Sequence, residues 1–142
     1  VSWEDCQEFC KKLNRRVPGV GVGLPGEAAW EYACRAGTIG VRYAEDLESI
    51  AWTDKNSGGR THAVAGKSPN EWGIYDMLGN IWEWCEDKWE QDTSAKRVIR
   101  GGSWGYDAQH ARAACRNAAH PGNRIHNLGF RCSSSGSEPD GE

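Results

Sequence analysis

Arg100-Gly-Gly-Ser-Trp-Gly-Tyr-Asp-Ala-Gln-His-Ala-Arg-Ala-Ala-Cys-Arg116, closed downstream by Leu128-Gly-Phe-Arg131, mixes two kinds of position. Gly101, Gly102, Trp104, Arg112, Arg116, Pro121, Arg124, Gly129, Phe130 and Arg131 read as landmarks of a scaffold. Gly-Gly and Gly-Phe suit tight turns and short core strands. Between them stand Tyr106, Asp107, His110, Asn117, His120, Asn123, Ile125, His126 and Asn127, which follow no helical or strand period. Amphipathic rings and adaptable hydrogen-bonding groups are what a recognition surface uses. The segment therefore reads as a scaffold carrying a binding face, rather than as a solvated linker.

The rest of the chain sets the limits. Its 142 residues suffice for one domain with its own core. A net charge of -3 and a pI near 5.8 give no electrostatic case for nucleic acid, which needs a basic face. With 18 Gly and 8 Trp, turns should be many and the core should rest on indole rings. Each such ring removes roughly 150–250 Å² from water. No apolar run approaches the ~20 residues of a membrane span. The tail Ser133-Ser-Ser-Gly-Ser-Glu-Pro-Asp-Gly-Glu142 is polar and acidic, a composition of disorder.

Along the chain, Val1 to Asn14 is expected to be a helix, capped by Ser2 with Asp5 in a capping-box position. Cys6, Phe9, Cys10 and Leu13 would share its inner face. Pro25 leads into a second helix near Gly26 to Ala36, with Trp30, Ala33 and Cys34 on one face and Gly37 as its stop. Residues 38 to 70 are rich in turns without a strong period. Trp72 to Trp89 is dense in aromatics around a Gly79-Asn80 turn. Val98 to Ile99 and Gly129 to Cys132 suit short strands, and no internal repeat is present.

Val1-Ser-Trp-Glu-Asp5, Leu24-Pro-Gly-Glu-Ala-Ala-Trp-Glu-Tyr-Ala33, Pro69-Asn-Glu-Trp-Gly-Ile-Tyr-Asp-Met-Leu-Gly-Asn-Ile-Trp-Glu-Trp84, Arg97-Val-Ile-Arg-Gly-Gly-Ser-Trp104 and Leu128-Gly-Phe-Arg131 together resemble the formylglycine-generating-enzyme, or sulfatase-modifying factor, family. The resemblance runs in order through nearly the whole chain. It implies an α+β, C-type-lectin-like fold of the formylglycine-generating-enzyme subtype, with two helices, short antiparallel strands and much irregular loop. Residues 1–132 would form the domain, without the family's N-terminal strands and first helix region, and 100–131 its variable binding region. Residues 133–142 would be a disordered tail. Gly26 stands where the family has Thr, which should affect helix capping more than function.

The family's oxygen-using enzymes carry a copper-binding cysteine pair shortly after the Gly-Gly-Ser-(Tyr/Trp) turn, because Cu(I) takes soft thiolate ligands. Here Tyr106 stands at the first such place, and no cysteine precedes Cys115 in the segment. Iron-dependent relatives need an N-terminal histidine cluster, yet no histidine precedes His62. The resemblance thus implies a scaffold without its catalytic residues, and no enzyme. It comes closest to the variable proteins of diversity-generating retroelements, in which template adenines are randomised. Gly105, Tyr106, Asp107, His110, Ala118 or Ala119, His120, Ile125 and His126 are all reachable from AA(C/T) codons through the first two bases. Asn117, Asn123 and Asn127 would be unaltered templates, Cys115 is reachable from a Tyr codon, and Trp104 and Gln109 are not reachable from AA(C/T).

The expected ligand-binding set is therefore Gly105, Tyr106, Asp107, His110, Cys115, Asn117, Ala119, His120, Asn123, Ile125, His126 and Asn127, with Tyr106 as aromatic anchor. Arg112, Arg116, Arg124 and Arg131 are expected to tie loops through forked hydrogen bonds. Asp76, Gly79, Ile81 and Glu83 match the family's calcium site, which makes a structural calcium the one candidate cofactor; without metal, Asp76 and Glu83 would bridge locally. His110, His120 and His126 with Cys115 have no zinc-chelating spacing. Trp72, Trp82, Trp84 and Trp89 are expected in the core. The six cysteines, at 6, 10, 34, 85, 115 and 132, form no CxxC pair, and counting leaves 15 full pairings open. The resemblance suggests Cys10 with Cys132 and Cys34 with Cys115, the second match displaced by about two residues; buried thiols are the alternative.

The resulting expectation is a non-catalytic module displaying a diversified surface to a protein or other ligand, with no nucleic acid and no membrane span. Its ligand and oligomeric state are not legible. A bacterial or phage source, with the module cytoplasmic or surface-displayed, fits this reading. Its rivals are a formylglycine-generating-type oxidase with an altered copper site and a sensor domain fused to a signalling protein.

Overall fold

The computed structural model describes residues 1–90 and 93–134, so the expected tail lies outside the described residues from 135 onward. Helix α1, Trp3–Arg16, starts where Ser2 and Asp5 exchange the two bonds of a capping box: Ser2 Oγ accepts from the Asp5 amide, and Asp5 accepts from the Ser2 amide. It runs two residues past the expected end. Cys6 and Cys10 are buried, whereas Phe9 is half exposed and packs its ring edge-on against Phe130 at 5.4 Å.

Helix α2, Glu27–Arg35, begins at Gly26, which has no side chain with which to cap it. Asp87 supplies the missing acceptor from elsewhere in the chain, taking the Glu27 amide at 2.6 Å. The local defect is thus met by a tertiary contact, in a position where the helix dipole also favours a carboxylate. The helix stops at Ala36, whose φ of 46° is left-handed, one residue before the expected glycine. A third helix, α3 (Leu47–Ile50), was not expected; Asp46 caps it through the Glu48 amide, and a single turn is too short to give a hydrophobic period.

Six short strands complete the fold: β1 (Val22–Gly23), β2 (Trp82–Lys88), β3 (Arg97–Arg100), β4 (Arg116–Ala119), β5 (Leu128–Gly129) and β6 (Ser133–Ser134). The main sheet has the order β4-β3-β2-β5, and β1 pairs separately with β6. The sheet is not wholly antiparallel, because β5 lies parallel to β2, Trp82 beside Leu128 and Glu83 beside Gly129. β4 lies inside the segment expected to be irregular. Ser133 and Ser134, expected in the tail, form β6 and pair with β1.

Both faces of the sheet are buried, and the alternation along its strands sorts the core in two. Cys85 and Val98 face a cluster with Trp30, Cys34, Ile50, Met77 and Leu78. Trp82, Trp84 and Ile99 face a second cluster with Cys6, Leu24, Ala119 and Leu128. Two of the four tryptophans expected in the core, Trp82 and Trp84, are fully buried. Trp89 is half buried under the Arg116 guanidinium, 5.0 Å from its ring. Trp72 is a correction: it is 47% exposed and packs edge-on against the exposed Tyr32.

Between α2 and the sheet lies Arg100, 1% exposed. It donates to Glu27 at 2.7 Å, Glu31 at 2.6 Å and the Ala113 carbonyl. Burial pushes the Glu27 carboxyl up, but hydrogen bonds from Arg116 and Arg100 more than reverse this and leave it below the usual range. Such a buried pair costs desolvation, and the several hydrogen bonds are what offset it.

All six cysteines are free thiols. Cys10 and Cys132 are neighbours close enough for a thiol–thiol hydrogen bond; burial, then Cys132, raises the Cys10 thiol to about 11. The other expected pair, Cys34 and Cys115, packs with different clusters. Cys34 packs in the first cluster and Cys115 against the second, on the other side of the sheet. The residue that shares the first cluster with Cys34 is Ala113, two positions earlier.

The Gly79-Asn80 turn is built as expected, with φ of 75° and 64°. A Cβ on Gly79 would lie 2.8 Å from the Trp52 nitrogen and closer still to its carbonyl oxygen. Gly79→Ala is therefore expected to destabilise the fold by about 2–4 kcal/mol, from left-handed strain plus overpacking, measured by urea denaturation. A loss below about 1 kcal/mol would show that this turn relaxes freely. Burial raises the Cys6 and Cys34 thiols to about 12. Native alkylation near pH 8 should accordingly label Cys132 first and leave Cys6 and Cys34 untouched until the chain unfolds, as read by mass spectrometry.

Candidate recognition face and cation site

The loop after the Gly101-Gly102 turn owes its shape to groups outside itself. Gly102 has a φ of 75°, and a Cβ there would meet the His110 carbonyl oxygen at 2.9 Å, so the chain can double back closely only on glycine. The Trp104 amide donates to the Asn80 carbonyl at 2.9 Å, and Ser57 donates to the Trp104 carbonyl at 2.8 Å. The Asp54 amide donates to the Tyr106 carbonyl at 3.1 Å. Arg42 reaches the carbonyls of Ala108 and Ala111 at 2.5 and 2.8 Å. Each of these bonds ends on main chain, so the loop side chains are left free to differ without loosening it.

Those side chains meet in a recess of about 220 Å³ between β4 and the following turns. Seven of the twelve expected residues line it: Tyr106, Asn117, Ala119, His120, Asn123, Ile125 and Asn127. Trp82, Lys96, Ile99 and Ala118 line it as well. Trp82, Lys96 and Ile99 lie outside the quoted loop and enter through the sheet order, which sets β3, with Lys96 just before it, beside β4 and places β2 next in line. Tyr106 sits edge-on to Trp82 at 5.4 Å, so a core indole anchors the ring expected to be the contact.

The other five expected residues lie around the recess or away from it. Gly105 is exposed at the loop's start. Asp107 and His110 bind each other at 2.8 Å, with the His110 ring 4.8 Å from Tyr106; the His110 bond holds the Asp107 carboxyl below its usual range. His126 lies over Trp104 at 5.3 Å. Cys115 packs against the second core cluster, and burial raises its thiol. Ala119, 8% exposed and part of that cluster, forms the wall of the recess, and the half-buried Ala118 lines it as well.

Three of the landmark arginines carry forked contacts. Arg116 clasps Glu27 at 2.5 and 2.8 Å, and Arg124 clasps Asp5 at 2.7 and 2.8 Å. Arg131 clasps Glu83 at 2.7 Å through two nitrogens and also reaches the carbonyls of residues 75 and 76. Arg112 makes no such fork: it reaches the nearby Gln109 carbonyl at 2.5 Å and the Cys115 side chain. Arg124 thereby joins the turn beside the recess to the capping box of α1, and its bonds hold the Asp5 carboxyl well below the usual range.

A second concavity, of about 460 Å³, is lined by Asp76, Asn80, Ile81, Glu83 and Arg131 among others. Asp76 accepts the Ala65 amide at 2.7 Å through Oδ2, while its Oδ1 is buried with no hydrogen-bond partner. That orphaned oxygen is what a hard cation would ligate. Glu83 does not fit the same role, because Arg131 and the Trp30 indole at 2.8 Å already hold both its oxygens. Gly79 gives its amide to the Gly101 carbonyl in the turn beside it. Among the described residues no group of three or more His, Cys, Asp or Glu side chains gathers as a metal site. No helix there is long and apolar enough to cross a membrane.

The sulfatase-modifying factor enzyme 1-like domain family matches residues 1–135. The inactive C-alpha-formylglycine-generating enzyme 2 of Bos taurus is 32% identical over the whole of this chain and 51% of its own length. The formylglycine-generating enzyme of Streptomyces coelicolor is 31% identical, covering 93% of this chain and 50% of its own. A serine/threonine-protein kinase, pkn1, of Chlamydia pneumoniae is 34% identical over 93% of this chain, which spans 23% of that protein. Among solved structures, Treponema denticola variable protein 1 superposes with a TM-score of 0.82 at 29% identity, over 93% of this chain and 68% of that one. The chain spans about half the length of the formylglycine-generating relatives it matches. By sequence, and by the C-type-lectin-like fold it shares with that variable protein, the chain belongs to the sulfatase-modifying factor (formylglycine-generating enzyme) family.

Proposed function

We propose that this chain is a non-catalytic ligand-binding module whose recognition face is the recess and rim formed by residues 105–127. The observation that carries the proposal is the way the loop is fastened. Trp104, Tyr106, Ala108 and Ala111 are all held through main-chain atoms by Asn80, Ser57, Asp54 and Arg42. A surface built so can change its side chains without unfolding, which is what diversification demands. Similarity to a variable protein and to an inactive member of the family supports the same reading. Tyr106 supplies a rigid ring and Ile125, 44% exposed, an apolar rim contact. Similarity to part of a protein kinase favours a second arrangement, in which the same module serves as the sensing part of a signalling protein.

Incubation with a cysteine-containing sulfatase peptide, Cu(I) and oxygen is expected to give no oxidised product; turnover would overturn the non-catalytic reading. Peptides selected from a random library against the protein should lose about tenfold or more in affinity when Tyr106, Asn123 and Ile125 are changed together to Ala. Binders indifferent to that change would place recognition elsewhere.

We further propose that Asp76 holds a structural calcium through its orphaned oxygen, with backbone carbonyls of the 79–81 turn completing the set. Millimolar CaCl₂ should then raise the melting temperature of the wild type and leave that of Asp76→Ala unmoved. An equal response from both would remove the site.

A further inference from the structure

β4 ends its sheet, so among the described residues one side of its backbone has no partner strand. The bonds of the sheet show which groups face that side. The Trp89 amide donates to the Lys96 carbonyl at 2.9 Å, which turns that carbonyl toward β2. Alternation along β3 then turns the backbone groups of Arg97 and Ile99 toward β4, where they meet Ala119 and Asn117. Arg116 and Ala118 are left with their backbone groups pointing outward. The Ala118 amide agrees with this, because the side chain of its own neighbour, Asn117, takes it at 2.8 Å through Oδ1. Among the described residues nothing bonds the Arg116 N–H, the Arg116 carbonyl or the Ala118 carbonyl. Free main-chain groups at alternate residues of an edge are complementary to the backbone of another extended chain.

Size decides between a second copy and a peptide. The four residues of β4 span only ~13 Å, too little for the ~800 Å² per partner that a stable pair of proteins buries. A peptide needs less, because the recess lies beside the same strand. Lying antiparallel to β4, as β3 does, a peptide sets two residues opposite Arg116 and Ala118 in hydrogen-bonded positions. The residue between them stands opposite Asn117 and points its side chain to the same face. That face carries Ala119 and Ile99, and with Trp82 and Tyr106 they give the recess its apolar wall. About 220 Å³ falls below the roughly 300–1,000 Å³ of a small-molecule pocket and suits one inserted side chain. We infer that the face captures an extended peptide by strand addition to β4, seating one aliphatic side chain in the recess, with Asn117 guarding the edge. Asn117 must release the Ala118 amide before a peptide carbonyl can take it, so the residue at 117 sets how open the edge is. This deepens the binding-face reading and rests on it.

The test uses short peptides selected from a random library against the full chain, each then N-methylated at one residue at a time. Strand addition predicts losses of about tenfold or more at every second residue and under about threefold between them, with an aliphatic side chain on an intervening residue. Bound peptide should slow hydrogen exchange of the Arg116 amide, read by ¹⁵N NMR. Asn117→Ala should speed exchange of the Ala118 amide about tenfold in the free protein and tighten the peptides about threefold. Losses without a two-residue period, or an Arg116 amide that peptide leaves unprotected, would overturn strand addition and leave the binding face standing. Weaker binding by Asn117→Ala would make that residue a contact and remove its guarding role. A library without binders would overturn the peptide partner. Self-association in sedimentation, strengthened by Asn117→Ala, would make a second copy the occupant. The binding-face reading fails on different grounds, when library-selected peptides ignore the Ala substitutions at Tyr106, Asn123 and Ile125.

Discussion

Everything on the recognition side of the molecule depends on one tight approach of main chain to main chain at Gly79-Asn80. The Gly79 amide meets the Gly101 carbonyl at 2.8 Å, the Asn80 amide meets Trp52 at 2.8 Å, and the Asn80 carbonyl receives Trp104. The Asn80 side chain bonds both the amide and the carbonyl of His62. Two consecutive left-handed residues are required, and the space beside Gly79 leaves no room for a Cβ. In a chain with so little regular structure, such a junction does what a long strand ladder does elsewhere: it pairs backbone groups that would otherwise be buried without partners.

From that junction β2 runs straight into the core, and its alternation divides the interior into two clusters. The charged groups follow the same plan. Arg100 and Arg131 neutralise Glu27, Glu31 and Glu83 where the sheet meets α2 and the 75–76 turn, while Arg116 and Arg124 fasten the rim. The contacts that fix the scaffold use arginine forks and backbone, whereas the recess is lined by rings, amides and small side chains. Stability and recognition are thereby assigned to separate atoms, so change in one need not cost the other.

How far the sequence could be read varied with the range of the cause. Helix α1 was legible because its cap is local: Ser2 and Asp5 lie three residues apart. Helix α2 was legible in position but not in how it is capped, since Asp87 stands sixty residues away. β4 was not anticipated, because Arg-Asn-Ala-Ala has no strand propensity of its own and is held by pairing with β3. Trp72 was misplaced because tryptophan density near a core motif does not say which rings face inward.

By itself, the sequence determined the family, the α+β class, the Gly-rich turns and the loop on which the variable-looking residues sit. Those features rest on residue type at fixed local spacing. Only the tertiary structure decided which of those residues form one surface. It set Trp82, Lys96 and Ile99 beside Tyr106, separated Cys34 from Cys115 across the sheet, and left one oxygen of Asp76 without a partner. The physical reason is that a recess, an ion pair and an orphaned atom are properties of several segments at once. Their packing is settled by strand order and core filling, which no local pattern encodes.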